Sequence, residues 1–171
     1  MVLGDFPTLY YVRGVMRNAY RGLAFAVAAL VALQAAFIAF AVFGLAGWIE
    51  DGGTLDASAF AEGSTVEVGG STGFMLHGMV GTLLIPLVAL VLLVISFFAK
   101  IPGGVKWAAI VFGVVVLQYA LALLGRITGV PFIGALHGLN ALILFGVAVT
   151  AAMRVRSRAT RAADATSVPV V

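Results

Sequence analysis

Residues 22–48 read GLAFAVAALVALQAAFIAFAVFGLAGW, and no side chain among them ionises. At about 1.5 Å per residue, a helix of this length exceeds a hydrocarbon core of about 30 Å even when tilted. The stretch reads as a membrane crossing, with Gln34 as its one strongly polar residue and Trp48 as an interfacial anchor at its far end. The whole chain agrees. Its 63% hydrophobic and 10% charged residues and its mean hydropathy of +1.15 lie far from the soluble balance of about half apolar and about a quarter charged.

Working outward, three further apolar runs follow, at about 74–99, 107–125 and 131–153. Pro86 lies inside the second as an expected kink of the kind membrane helices tolerate. Gln118 and Tyr119 lie in the third, and Pro131 suits the first turn of the fourth. Before the first crossing, residues 1–21 contain Pro7-Thr8 as a helix start, then Arg13, Arg17 and Arg21 at every fourth position. That spacing fits a short amphipathic segment on the cytoplasmic interface, or equally a plain juxtamembrane charge cluster. A cleaved signal peptide is the weaker reading, because the following run is far longer than a signal's apolar region of about 7–15 residues.

The connection 49–73 is acidic, with Glu50, Asp51, Asp56, Glu62 and Glu67 among glycines, serines and threonines. It reads as a solvated outer loop, and the alternation Thr65-Val66-Glu67-Val68 admits a short strand. Lys100, Pro102-Gly103-Gly104 and Lys106 make a tight basic turn, and residues 154–171 form a basic tail. The basic residues thus fall on one side of the membrane and the acidic loop, with Arg126, on the other. By the positive-inside rule both termini are cytoplasmic. The expected architecture is all-α, an integral four-helix bundle in the cytoplasmic membrane, as one domain.

Composition also excludes chemistry. With no cysteine, disulfides, thiolate metal sites, iron–sulfur clusters and covalent haem attachment are ruled out. The net charge of +3 does not argue for nucleic acid, because its basic residues flank apolar runs, where topology and anionic lipid account for them.

The two histidines, His77 and His137, each lie a few residues inside an apolar run, in Phe74-Met75-Leu76-His77-Gly78-Met79-Val80-Gly81 and Gly134-Ala135-Leu136-His137-Gly138-Leu139-Asn140-Ala141. In this topology the second and fourth helices enter from the same face, which places the histidines at similar depth. Four residues on, Gly81 and Ala141 are small and lie on the same helix face as the histidines, leaving room for a flat ligand. Bis-imidazole ligation of haem needs such a pair on facing helices. Gln34, Gln118 and Asn140 fall near this level and suit acceptors for the second ring N–H, or equally interhelical hydrogen-bond glue worth about 1 kcal/mol. Arg126 suits haem propionates, or simply the helix C-terminal dipole. Zinc and copper fit less well, because a third ligand is lacking and Met75 and Met79 point about 160° away from His77.

On these residues, Leu136-His137-Gly138-Leu139-Asn140-Ala141 above all, the second to fourth helices resemble small bacterial four-helix membrane proteins of an uncharacterised family. The layout is similar to one half of haem A synthase and, more loosely, to b-type cytochrome bundles. The resemblance implies haem ligation by histidines on the second and fourth helices, at the outer face. The catalytic half of the synthase has a glutamate three residues before its first histidine, whereas this chain has Phe74, which speaks against haem A synthesis.

The expectation is a membrane-embedded haem b protein, with His77 and His137 on the iron near the outer leaflet, passing electrons to or from a quinone or a partner redox protein. Two alternatives stand beside it. One is a non-enzymatic accessory or assembly subunit, in a homo- or hetero-oligomer, whose histidines specify packing. The other is a small transporter or sensor in which they titrate.

Overall fold

A computed structural model describes residues 6–56 and 66–155, with side chains from residue 11 onward. The described residues are helical with turns and short connections, and they contain no strand. Val66–Val68 is irregular, and Thr65 lies outside the described residues.

Helix α1 spans Phe6–Glu50. Helix α2, Ser71–Met79, runs into a π-helical turn, Val80–Leu84, and on into α3, Ile85–Ala99. Helix α4 is Gly104–Thr128 and α5 is Pro131–Met153. Four helical spans are long and apolar enough to cross a membrane, Tyr11–Glu50, Ser71–Ala99, Gly104–Thr128 and Pro131–Met153. The protein is a multi-pass, all-α membrane protein.

Local chemistry explains most of these boundaries. α1 continues unbroken through Arg21, and its 45 residues extend for about 68 Å, roughly twice the hydrocarbon thickness. Pro86 has no N–H to give the carbonyl of Thr82, and its ring crowds that carbonyl. The chain resolves the mismatch before the proline, in the wider turn at Val80–Leu84. Gly129 caps α4 in the left-handed conformation, its N–H bonded to Gly125 O at 2.9 Å, and Pro131 opens α5 two residues later.

Each helix buries a narrow stripe and leaves the remainder apolar and exposed, as helices in lipid do. On α3 the stripe is Ile85, Ala89, Leu92, Ser96 and Ala99; on α4 it is Gly104, Ala108, Val111 and Val115. Continuing the alternating steps of four and three leads to Gln118 on α4 and back from Asn140 to His137 on α5. On α1, Tyr20, Ala24, Val27 and Val31 lead to Gln34. The polar residues singled out by sequence therefore lie on packing seams.

The chain divides into two compact units, residues 32–84 and residues 1–31 with 85–171. In the first, α1 and α2 meet along glycine. A Cβ on Gly73 would come within 2.7 Å of Phe37 O and 2.8 Å of Ala41 N, and one on Gly70, whose φ is 79°, would strike the Ala41 carbonyl. Only an absent side chain lets these backbones approach so closely. Trp48 is packed against the backbone of Gly53 and Gly69, so it is covered by its own loop. In the second unit α4 packs against α3 and α5. Tyr20, 1% exposed, donates its hydroxyl to Gly104 O at 3.0 Å and ties the early part of α1 to the start of α4. Arg154 lies 4.4 Å from the centre of the Trp107 ring, a cation–π contact between the ends of α5 and α4.

Candidate functional site: two glutamine–histidine pairs

The same local arrangement occurs once in each unit. In residues 32–84, Gln34 Nε2 donates to the main-chain carbonyl of His77 at 2.9 Å, and His77 Nδ1 lies 3.2 Å from the main-chain carbonyl of Gln34. Between α4 and α5, Gln118 Nε2 donates to His137 O at 3.0 Å, and His137 Nδ1 lies 3.2 Å from Gln118 O. In both cases glutamine and histidine each bond to the other's backbone.

This geometry settles the tautomer. A carbonyl oxygen only accepts, so Nδ1 carries a proton in both rings, and in the neutral imidazole the lone pair is then on Nε2. At His137 a further contact agrees: Gln118 Nε2 lies 3.1 Å from His137 Nε2, where an amide N–H meets an acceptor nitrogen. The ring N–H is thus anchored on main chain and not on the side chain of Gln34, Gln118 or Asn140.

The two pairs differ in one respect. Asn140, 5% exposed, donates from Nδ2 to Val114 O at 3.1 Å and to Gln118 Oε1 at 2.6 Å. The Gln118 side chain is therefore fully engaged, and Asn140 acts through it on His137. Three residues after His77 stands Val80, which has no donor to offer. Gln34 Oε1 is buried and has no hydrogen-bond partner.

The remaining candidates fall as follows. Gly81 lies in the π-helical turn, and a Cβ there would sit 2.6 Å from Gln34 Nε2, so the Gln34 amide occupies the space its missing side chain leaves. Ala141 is half-buried on α5. Arg126 is exposed in the last turn of α4. Met75 and Met79 are exposed. Among the described residues no group of three or more His, Cys, Asp or Glu side chains could hold a metal ion.

An open recess of about 340 Å³ lies between α4 and α5, lined by Leu121, Ala122, Gly125, Gly129, Val130, Pro131, Gly134 and His137. Its walls are small and apolar, and His137 brings the one ionisable group to it. Sequence reasoning did not single out Gly125, Gly129 and Gly134 as a concavity, although their clustering around the α4–α5 turn was the available signal. The anchoring carbonyls of Gln34 and Gln118 carry no sequence signal at all.

No curated protein and no solved structure matches the chain. Residues 59–127 match the model of a family of unknown function, DUF6220. The match takes in α2, α3 and nearly all of α4, with His77 and Gln118, and ends ahead of the Leu136–Ala141 segment.

Proposed function

We propose that this protein is a b-type haem protein of the cytoplasmic membrane, with both termini cytoplasmic and His77 and His137 as axial ligands of one haem near the outer leaflet. The observation that carries the reading is the shared tautomer. Each histidine donates Nδ1–H to a helix carbonyl, which orients the ring and makes Nε2 the basic nitrogen. Histidines that ligate metal are held in this way, their other ring nitrogen bonded to carbonyl or carboxylate.

The donor set suits the group: two imidazoles in an apolar setting. Iron at His137 would take the place of the Gln118 amide now 3.1 Å from Nε2, and that amide keeps its bond to His137 O. Ala141 would leave space beside His137, the Gln34 amide that fills the place beside Gly81 would have to move, and Arg126 would meet the propionates. A haem held by two nitrogens supplies reversible one-electron chemistry with no open iron position. The role is therefore electron transfer with a quinone or a partner redox protein, and crossing the whole membrane would need that partner.

The test is the visible spectrum of detergent-purified protein made with ample haem, oxidised and dithionite-reduced, beside His77→Ala and His137→Ala. A stoichiometric Soret band with sharp reduced bands, lost or altered in both variants, is the expected result. A colourless, well-folded protein would sink the reading.

A second reading has its own observation. The Gln118–Asn140 network is satisfied without any ligand, as an interhelical clamp in an accessory or assembly subunit would be. In that case His137→Ala weakens folding and no chromophore is ever present.

A further inference from the structure

Gln34 Oε1 is a buried acceptor without a donor. Rotating the amide offers no relief, because Oε1 would then face the His77 carbonyl, to which Nε2 now donates at 2.9 Å. The corresponding atom of the other pair, Gln118 Oε1, receives Asn140 at 2.6 Å. Buried polar atoms are nearly always paired, and an orphan calls for an explanation such as a missing ligand. The α1–α2 seam is apolar, so a ligand reaching it would be lipid-soluble, and what Oε1 lacks is a hydrogen-bond donor.

We infer that the carbonyl of Gln34, beside His77, receives the O–H of a hydroquinone. This deepens the electron-transfer reading, on which it rests for the class of ligand, and it gives the site a selectivity. A quinone has only carbonyl oxygens and brings no hydrogen to Oε1, whereas its reduced form brings one. The site therefore favours the reduced carrier over the oxidised one. Oε1 is sealed in the ligand-free molecule, and entry requires local parting of the helices. The π-helical turn at Val80–Leu84, with Gly81 against the Gln34 amide, is the segment placed to yield.

Gln34 and Gln118 are the chain's two glutamines, so labelling glutamine with ¹³Cδ and ¹⁵Nε2 gives two assignable signals. The full chain in detergent is titrated anaerobically with tetramethylhydroquinone and, separately, with tetramethylbenzoquinone, both with and without haem. The expected result is a saturable shift of the Gln34 signal with the hydroquinone, at least tenfold weaker binding of the quinone, and no shift of Gln118. Gln34→Leu should weaken hydroquinone binding at least tenfold. Gln34→Glu, whose neutral acid keeps both an O–H for His77 O and a carbonyl acceptor, should retain it. A shift in haem-free protein upholds the site even if the haem spectrum never appears. Equal response to both forms, or a Gln34 carbonyl already hydrogen-bonded by internal water and indifferent to both, would overturn the proposal.

Discussion

Asn140→Ala tests whether the polar residues on the α4–α5 seam hold the helices together. Asn140 is 5% exposed, and its amide donates to Val114 O at 3.1 Å and Gln118 Oε1 at 2.6 Å. Interhelical hydrogen bonds in membranes average about 0.6 kcal/mol, because the unfolded helices find other partners. Truncation removes two of them and leaves Gln118 Oε1 orphaned in the manner of Gln34 Oε1, which adds roughly 1 kcal/mol. The expected loss is about 2 kcal/mol. It would be read from reversible denaturation in mixed SDS and non-ionic detergent, followed by far-ultraviolet circular dichroism. Gln118→Ala and the double variant complete a cycle, with an expected coupling of about 1 kcal/mol between the two residues, because they share one bond and stand in contact. A loss below about 0.5 kcal/mol, or strict additivity in the double variant, would refute the reasoning, since the bond at 2.6 Å would then contribute nothing beyond what lipid-exposed helices recover by themselves.

The glycine seam and the Tyr20 tie make their own predictions. Gly73→Leu places a side chain where even a Cβ comes within 2.7 Å of Phe37 O, so the helices must separate. Overpacking of this kind costs about 1–3 kcal/mol, and the same denaturation assay should show it, with Gly78→Leu, where a Cβ meets nothing within 4 Å, as the near-neutral control. Tyr20→Phe removes the hydroxyl that bonds Gly104 O at 3.0 Å and should cost about 1 kcal/mol. Faster amide hydrogen exchange in the first turns of α4 would accompany it, and unchanged exchange there would show that the tie does not hold the start of that helix.

Much of this fold was legible in the residues themselves. A bilayer demands that every backbone polar group be satisfied within its own segment, so long apolar runs such as 22–48 have one local solution. Gly129 and Pro131 mark the α4–α5 turn for the same local reason, the one by its backbone and the other by its ring. Other features were not local. Charge spacing left residues 1–21 open between a surface segment and a juxtamembrane charge cluster, and the helix runs on through Arg21 with Tyr20 and Ala24 buried. Pro86 announced a disturbance, yet nothing local named the Gln34 amide as the neighbour of Gly81 in the wider turn before the proline.

Sequence by itself determined a multi-pass helical membrane protein and nominated His77, His137, Gln34, Gln118 and Asn140, because hydropathy, helix period and the rarity of polar groups in apolar runs are properties of single segments. The tertiary structure decided how those groups are used. It anchored both imidazoles on main-chain carbonyls, turned the glutamine amides toward histidine backbones, and gave Gln118 a donor that Gln34 lacks. Such assignments depend on which carbonyl a neighbouring helix brings within about 3 Å, and main-chain carbonyls are alike at every position of the chain until packing makes one of them the neighbour of a ring.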